Sequence, residues 1–200
     1  MNLDEYEKVK DLTYLEYCDY LQNKYGIGKD NYFSKNWGKH TKVSRTSEGL
    51  MAHHKYEYKA IMLSTVEYAK RHPYEWQLAE NIVYCDYLEH LLLHILICES
   101  YLQENAQEKV GIGGVINFIV PELNDIYSGW QPKHSWKIAC CERIIDDKDV
   151  YLILLKRFIS TAPPIIRLLK NEILCKSFNV KHRLWNNENN TEIYEQIKKM

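Results

Sequence analysis

Apolar and polar positions along this chain recur mainly with a helical period. From residue 3 to residue 24 the apolar and aromatic positions fall at 3, 6, 9, 12, 14, 15, 17, 18 and 21, a spacing that predicts an amphipathic helix. Gly26 and Gly28 end it. Residues 29–47 are polar, contain Gly38 and keep no period, so they read as a basic loop or arm. Leu50-Met51-Ala52 runs into His53 as a short extended segment, and Ile61-Met62-Leu63 reads as a second short extended piece. Ser64 or Thr65 then caps a helix to about Arg71, which His72-Pro73 breaks. Asn81 to Cys85 is a β-leaning run. Asp86 followed by Glu89 makes a capping-box pattern that opens a helix from about Tyr87 to Leu102. Gly111-Ile112-Gly113-Gly114 and Pro121 read as loops. Helices are expected over 135–145, 148–160 and 164–176, with Thr161 to Pro164 as a break. From Asn186 the tail is polar and expected to fray, apart from a short helix near its end.

Composition narrows the class. Two hundred residues with 46% apolar content suit a single domain. No apolar run approaches a membrane span, and the opening Met1-Asn2-Leu3-Asp4-Glu5-Tyr6 is too acidic for a signal peptide. Six cysteines without a Cys-x-x-Cys pair suit a reduced, cytoplasmic chain in which they are small buried residues, Cys140 and Cys141 included. The Asn189-Asn190-Thr191 sequon then has no meaning. Charge is uneven: residues 24–59 hold eight Lys or Arg against three Asp or Glu, and residues 156–183 hold seven against Glu172. Residues 86–128 reverse this, with seven acids against Lys109. Basic stretches with interleaved aromatics (Tyr32, Phe33 and Trp37; Phe158 and Phe178) suit a phosphate backbone, and equally suit two solvated faces.

The chemistry concentrates in two blocks, His53-His54 and Asn81 to His94. On a helix beginning near Tyr87, His90 and His94 lie one turn apart on one face, among leucines and isoleucines that make the helix apolar nearly all round. Buried imidazoles need partners, and two at this spacing can close on one cation. Hydrogen bonds to backbone or carboxylates would satisfy them as well, and the spacing alone does not decide. Adjacent residues of an extended segment point to opposite sides. One of His53 and His54 can therefore face a cation while the other faces water or substrate.

These residues resemble the HNH, or His-Me finger, endonucleases. His53-His54 matches the family's His-His at the end of the first strand, and Asn81-Ile82 its central Asn-aliphatic pair. His90 and His94 follow Asn81 by nine and thirteen positions, as in the colicin-type nucleases. The resemblance covers residues 48–94. It implies a ββα-metal core over 48–103, and with the helical periods of the flanks the fold reads as α+β, predominantly helical, with 1–47 as helix plus basic arm and 104–200 as a helical C-terminal part. It also implies a metal-dependent endonuclease acting on DNA. Its metal ligands would be His53, His90 and His94, its general base His54, and Asn81 the residue that pins the loop carrying that base. The products would carry 5′-phosphate and 3′-hydroxyl ends. Three imidazoles favour Zn²⁺, Ni²⁺ or Mn²⁺ over Mg²⁺.

The chain departs from the family in two ways. The 26 residues between His54 and Asn81 exceed the connecting loop of compact members, and structural zinc cysteines are absent. Lys39, Lys42, Arg45, Lys55 and Arg71 are the candidate phosphate contacts. Glu57 and Glu80 stand near the motif as either outer partners of the site or solvated carboxylates. Gly111 to Gly114 lacks the Gly-Lys-Ser/Thr ending of a phosphate loop and reads as an ordinary one. His40, His72, His134 and His182 are given no place in the site. A zinc module of the same fold that binds nucleic acid without cutting, and a nuclease directed at RNA, are the competing readings. No organic cofactor and no membrane are expected. Symmetric cutting of a duplex would favour a homodimer, although the chain carries no interface signature.

Overall fold

The computed structural model describes residues 1–100, 110–178 and 191–200. The chain is α+β and mostly helical, with a two-stranded antiparallel sheet among the described residues. Two helices open it, α1 (Leu3–Val9) and α2 (Tyr14–Tyr25), where the apolar period suggested one. The break has a local cause. Thr13 forms a full capping box with Glu16, which starts a new helix and ends continuity with the first. Gly26, at φ 82°, stops α2 as expected.

Strand β1 (Met51–His54) pairs with β2 (Ile82–Cys85), placing His53 opposite Val83 and His54 opposite Ile82. Ile61 to Leu63, expected to be extended, is instead irregular: Met62 takes φ 58° and only Leu63 is buried. A short helix α3 (Val66–Ala69) follows Thr65. Asp86 and Glu89 form the expected capping box and begin α4 (Tyr87–Glu99) directly after β2. The expected end of α4 at Leu102 lies outside the described residues, and its last described helical residue is Glu99.

Ile112 to Gly114 and Pro121, expected in loops, are helical instead, while Gly111, at φ 89°, precedes the helix. α5 (Ile112–Gly114) runs through a π-helical segment, Val115–Ile119, into α6 (Val120–Tyr127). Pro121 sits in the first turn of α6, where a missing N–H is tolerated. α7 (Ser135–Glu142) and α8 (Lys148–Thr161) match expectation. The segment expected as one helix over 164–176 divides into α9 (Pro164–Leu168) and α10 (Lys170–Leu174). α11 (Thr191–Lys199) is the short helix expected near the end, while the expected frayed stretch from Asn186 lies outside the described residues. So do the basic residues Lys181 and Arg183 and the unassigned His182.

α4 is the axis of the molecule. Leu88, Leu91, Leu92, Leu93, Ile95 and Ile97 are buried on every side of it. α2, α8 and the π segment pack around it, and the sheet covers its N-terminal half. Such a helix has no solvated face, so a polar side chain on it must be satisfied by a partner inside the protein. Among the described residues no helix is long and apolar enough to cross a membrane.

Candidate metal centre

The pleat of β1 separates the two histidines. His53 turns toward α4 and His54 toward the loop 55–81, and both are fully buried. His53, His90 and His94 come together, with ring centroids 5.2 Å (His53–His90), 5.3 Å (His53–His94) and 4.9 Å (His90–His94) apart. The turn after β1 brings Glu57 back beneath the strand. One ligand atom from each of His53, Glu57, His90 and His94 lies within 4.8 Å of the other three.

Hydrogen bonds fix how the imidazoles present themselves. The Tyr14 hydroxyl donates to the Lys55 carbonyl at 3.0 Å, so it accepts from His53 Nε2, 2.9 Å away. That leaves the His53 Nδ1 lone pair facing the cluster, and this buried atom has no hydrogen-bond partner. His94 Nδ1 donates to the Gly111 carbonyl at 3.3 Å, leaving Nε2 facing the same point. Glu57 Oε2 lies 3.5 Å from His53 Nδ1 and 3.4 Å from His94 Nε2. Tetrahedral ligands about 2.1 Å from a zinc ion stand about 3.4 Å apart.

Two imidazole lone pairs and a carboxylate therefore converge, and His90 lies beside them. Burial holds His53 down to about 3, with Glu57 opposing that shift and His94 and His54 adding to it. Burial likewise holds His90 well below its ordinary value, reinforced by His94 and His53. Neutral imidazoles at ordinary pH are the form that binds metal. This set can hold a divalent cation.

Glycine makes room for the site. A Cβ on Gly114 would lie 2.3 Å from His94 Cε1 and 2.4 Å from Nδ1. Gly111, at φ 89°, supplies the carbonyl that orients the same ring. The glycine-rich segment thus forms the seat of His94.

His54 occupies a separate pocket. Gln77 donates to the Leu63 carbonyl at 3.4 Å, so its Oε1 accepts from His54 Nε2 at 3.1 Å. The Tyr32 ring packs 4.4 Å from the imidazole. His54 Nδ1 has no hydrogen-bond partner and lies 3.7 Å from Glu57 Oε1. Glu57, its side chain 19% exposed, therefore stands between both histidines and solvent. Asn81 touches none of the cluster. Its amide donates to the Glu75 carbonyl at 2.7 Å, and its own carbonyl accepts from the Lys55 N–H at 2.8 Å, which ties the turn before Gln77 to the residue after His54.

The candidate phosphate contacts are dispersed. Arg45 pairs with Glu48 and lies over the Tyr84 ring, and Lys55 pairs with Asp19 at 2.6 Å. Lys39 donates to the Tyr32 hydroxyl, Lys42 is exposed in a 3-10 turn, and exposed Arg71 lies over the Tyr68 ring. Of the two acids left open, Glu57 joins the site and Glu80 does not. Tyr14, Gln77, Gly111 and Gly114 gave no sequence signal for the positions they hold. No family model, curated protein or solved structure matches this chain.

Proposed function

We propose that this protein is a metal-dependent endonuclease of the ββα-metal type that hydrolyses DNA phosphodiesters. The observation that carries the reading is the convergence of His53 Nδ1, His94 Nε2 and the Glu57 carboxylate, with His90 beside them. The order strand, loop, strand and helix around that point supports it, as does the location of every ligand at the junction of β1 and α4.

His53, His90, His94 and Glu57 would hold one divalent cation. The imidazole-rich set favours Zn²⁺, with Ni²⁺, Mn²⁺ and Mg²⁺ as alternatives that the nitrogen ligands make less favourable in that order. Held there, a cation would supply Lewis-acid stabilisation of charge on the phosphoryl oxygens and the departing 3′ oxygen. Tyr14 fixes the tautomer of His53, and the Gly111 carbonyl fixes that of His94. His54 Nδ1 is the nitrogen left to accept the proton of an attacking water. With Nε2–H already donated to Gln77, the imidazolium formed would be held by the Glu57 carboxylate facing Nδ1. Asn81 would act only by keeping the loop with Gln77 in register with β1.

The competing reading is a zinc module of the same fold that binds nucleic acid without cutting it, and the complete burial of His54 favours that alternative. Plasmid cleavage separates the two. Wild type with Zn²⁺, Ni²⁺, Mn²⁺ or Mg²⁺ is expected to nick or linearise the plasmid, EDTA to stop it, and His54→Ala to lower the rate by about 10²- to 10⁴-fold. Wild type that binds DNA but cuts it with none of these ions would leave the binding module as the answer.

A further inference from the structure

The loop 55–81 carries an aromatic stack that the metal centre does not use. Tyr56 stacks on Trp76 at 5.0 Å and 13°, and His72 stacks on the same indole at 5.0 Å and 11°. Tyr58 continues the stack from Tyr56 at 6.1 Å and meets Tyr14 edge-on at 5.6 Å, and Tyr14 holds His53. Tyr56, Tyr58, His72 and Trp76 are all half-buried, so part of each ring reaches the surface. Tyr56 and Tyr58 also flank Glu57 in sequence. The stack therefore begins at the candidate centre and runs outward from it.

Its cations differ from the ion-paired ones of the basic stretches. Lys55 and Arg45 are ion-paired, whereas exposed Lys59 lies over the rings of Tyr56, Tyr58 and Trp76 at 5.2, 5.3 and 5.9 Å. Among the described residues no carboxylate pairs with Lys59, Lys70 or Arg71, all exposed on this loop. A core packing cluster needs no such cations. Stacked rings with unpaired ammonium and guanidinium groups match a polynucleotide strand whose bases are unpaired. The parts of these rings that reach the surface can meet bases, and the cations can offset phosphates.

We propose that Tyr56, Trp76 and His72, with Lys59, form a stacking platform for unpaired DNA bases, which directs the centre to single-stranded or locally opened DNA. The proposal rests on the nuclease reading for its substrate but not for its test. Binding of a fluorescein-labelled single strand and of the matching duplex is measured by anisotropy in EDTA, where no cleavage occurs. Wild type should bind the single strand at least tenfold more tightly than the duplex. Trp76→Ala should weaken single-strand binding about 5- to 100-fold, the loss of stacking on one or two bases, and change duplex binding less than twofold. Trp76→Phe, which keeps a π face, should restore most of that loss, and thermal melting of both variants checks the fold.

Equal affinity for single strand and duplex would overturn the proposal. So would a Trp76→Ala variant that melts like wild type and binds the single strand within twofold of it. If the platform behaves as expected while no divalent ion supports cutting, the nuclease reading fails and the platform stands. If the protein cuts duplex and single strand alike with Trp76→Ala unaffected, the platform fails and the nuclease stands.

Discussion

His53 and His54 are consecutive on one strand and equally buried, yet the fold gives them different surroundings. His53 is held by Tyr14 and points a lone pair at three other potential ligands, while His54 is held by Gln77 and points a lone pair at Glu57 alone. The pleat decides the side, and the partner on the far ring nitrogen decides which nitrogen is free. Identical side chains thus acquire different chemistry from what lies behind them. Glu57 is the group common to both pockets, its Oε2 toward His53 and His94 and its Oε1 toward His54.

The sharpest way to break that comparison is to delete each histidine in turn. His53→Ala should remove metal binding and cleavage together, whereas His54→Ala should lower cleavage about 10²- to 10⁴-fold and leave metal affinity within a few-fold of wild type. Metal titration beside plasmid cleavage reads both, and loss of metal in both variants would merge the two roles. Next in size is Gly114→Ala, whose methyl would occupy the position of the His94 ring. Displacing that ring should weaken metal binding about 10- to 100-fold without touching any donor atom, as seen when ligand orientation is lost. Unchanged affinity would mean that His94 is not a ligand. Tyr14→Phe removes the acceptor for His53 Nε2 and should weaken binding about tenfold, while leaving the Gln77–His54 contact in place.

The last effect concerns acid and is read on stability rather than on metal affinity. His53 titrates near 3 in the folded chain because it is buried, against about 6.5 when unfolded. The unfolded chain therefore takes up the proton first, so stability of the metal-free protein is complete above pH 6.5 and declines as pH falls toward 3. One such group accounts for about 2 kcal/mol between pH 6.5 and pH 5. Denaturation in EDTA at several pH values should find that loss, and His53→Ala should reduce it. A flat profile would mean that the imidazole is not held neutral.

Much of this centre was legible in the sequence because it depends on local rules. The capping box at Asp86 and Glu89 located the start of α4, and the i, i+4 spacing of His90 and His94 set them on one face. The alternation of β1 predicted that His53 and His54 would part. What escaped depends on the third dimension. Glu57 is an isolated acid in a tyrosine-rich turn, and only the return of that turn beneath β1 makes it a neighbour of His94. The residues from Gly111 to Gly114 have the composition of a loop. Ile112 to Gly114 are nonetheless helical, and the space a side chain would need at Gly114 is filled by the His94 ring. The basic stretches misled differently, since counting charges cannot reveal that Arg45 faces Glu48 and Lys55 faces Asp19. Pro121 reads as a loop marker as easily as a first-turn residue, and only the helix around it decides between the two.

Everything about the centre turns on whether these lone pairs close on one ion. The most direct measurement is metal content after EDTA stripping and reloading with Zn²⁺ or Co²⁺, for wild type and for His94→Ala. One ion per wild-type chain is expected, with a tetrahedral Co²⁺ spectrum, and none bound stoichiometrically by His94→Ala. Wild type that retains no ion, or a His94→Ala variant that loads as fully as wild type, would contradict it.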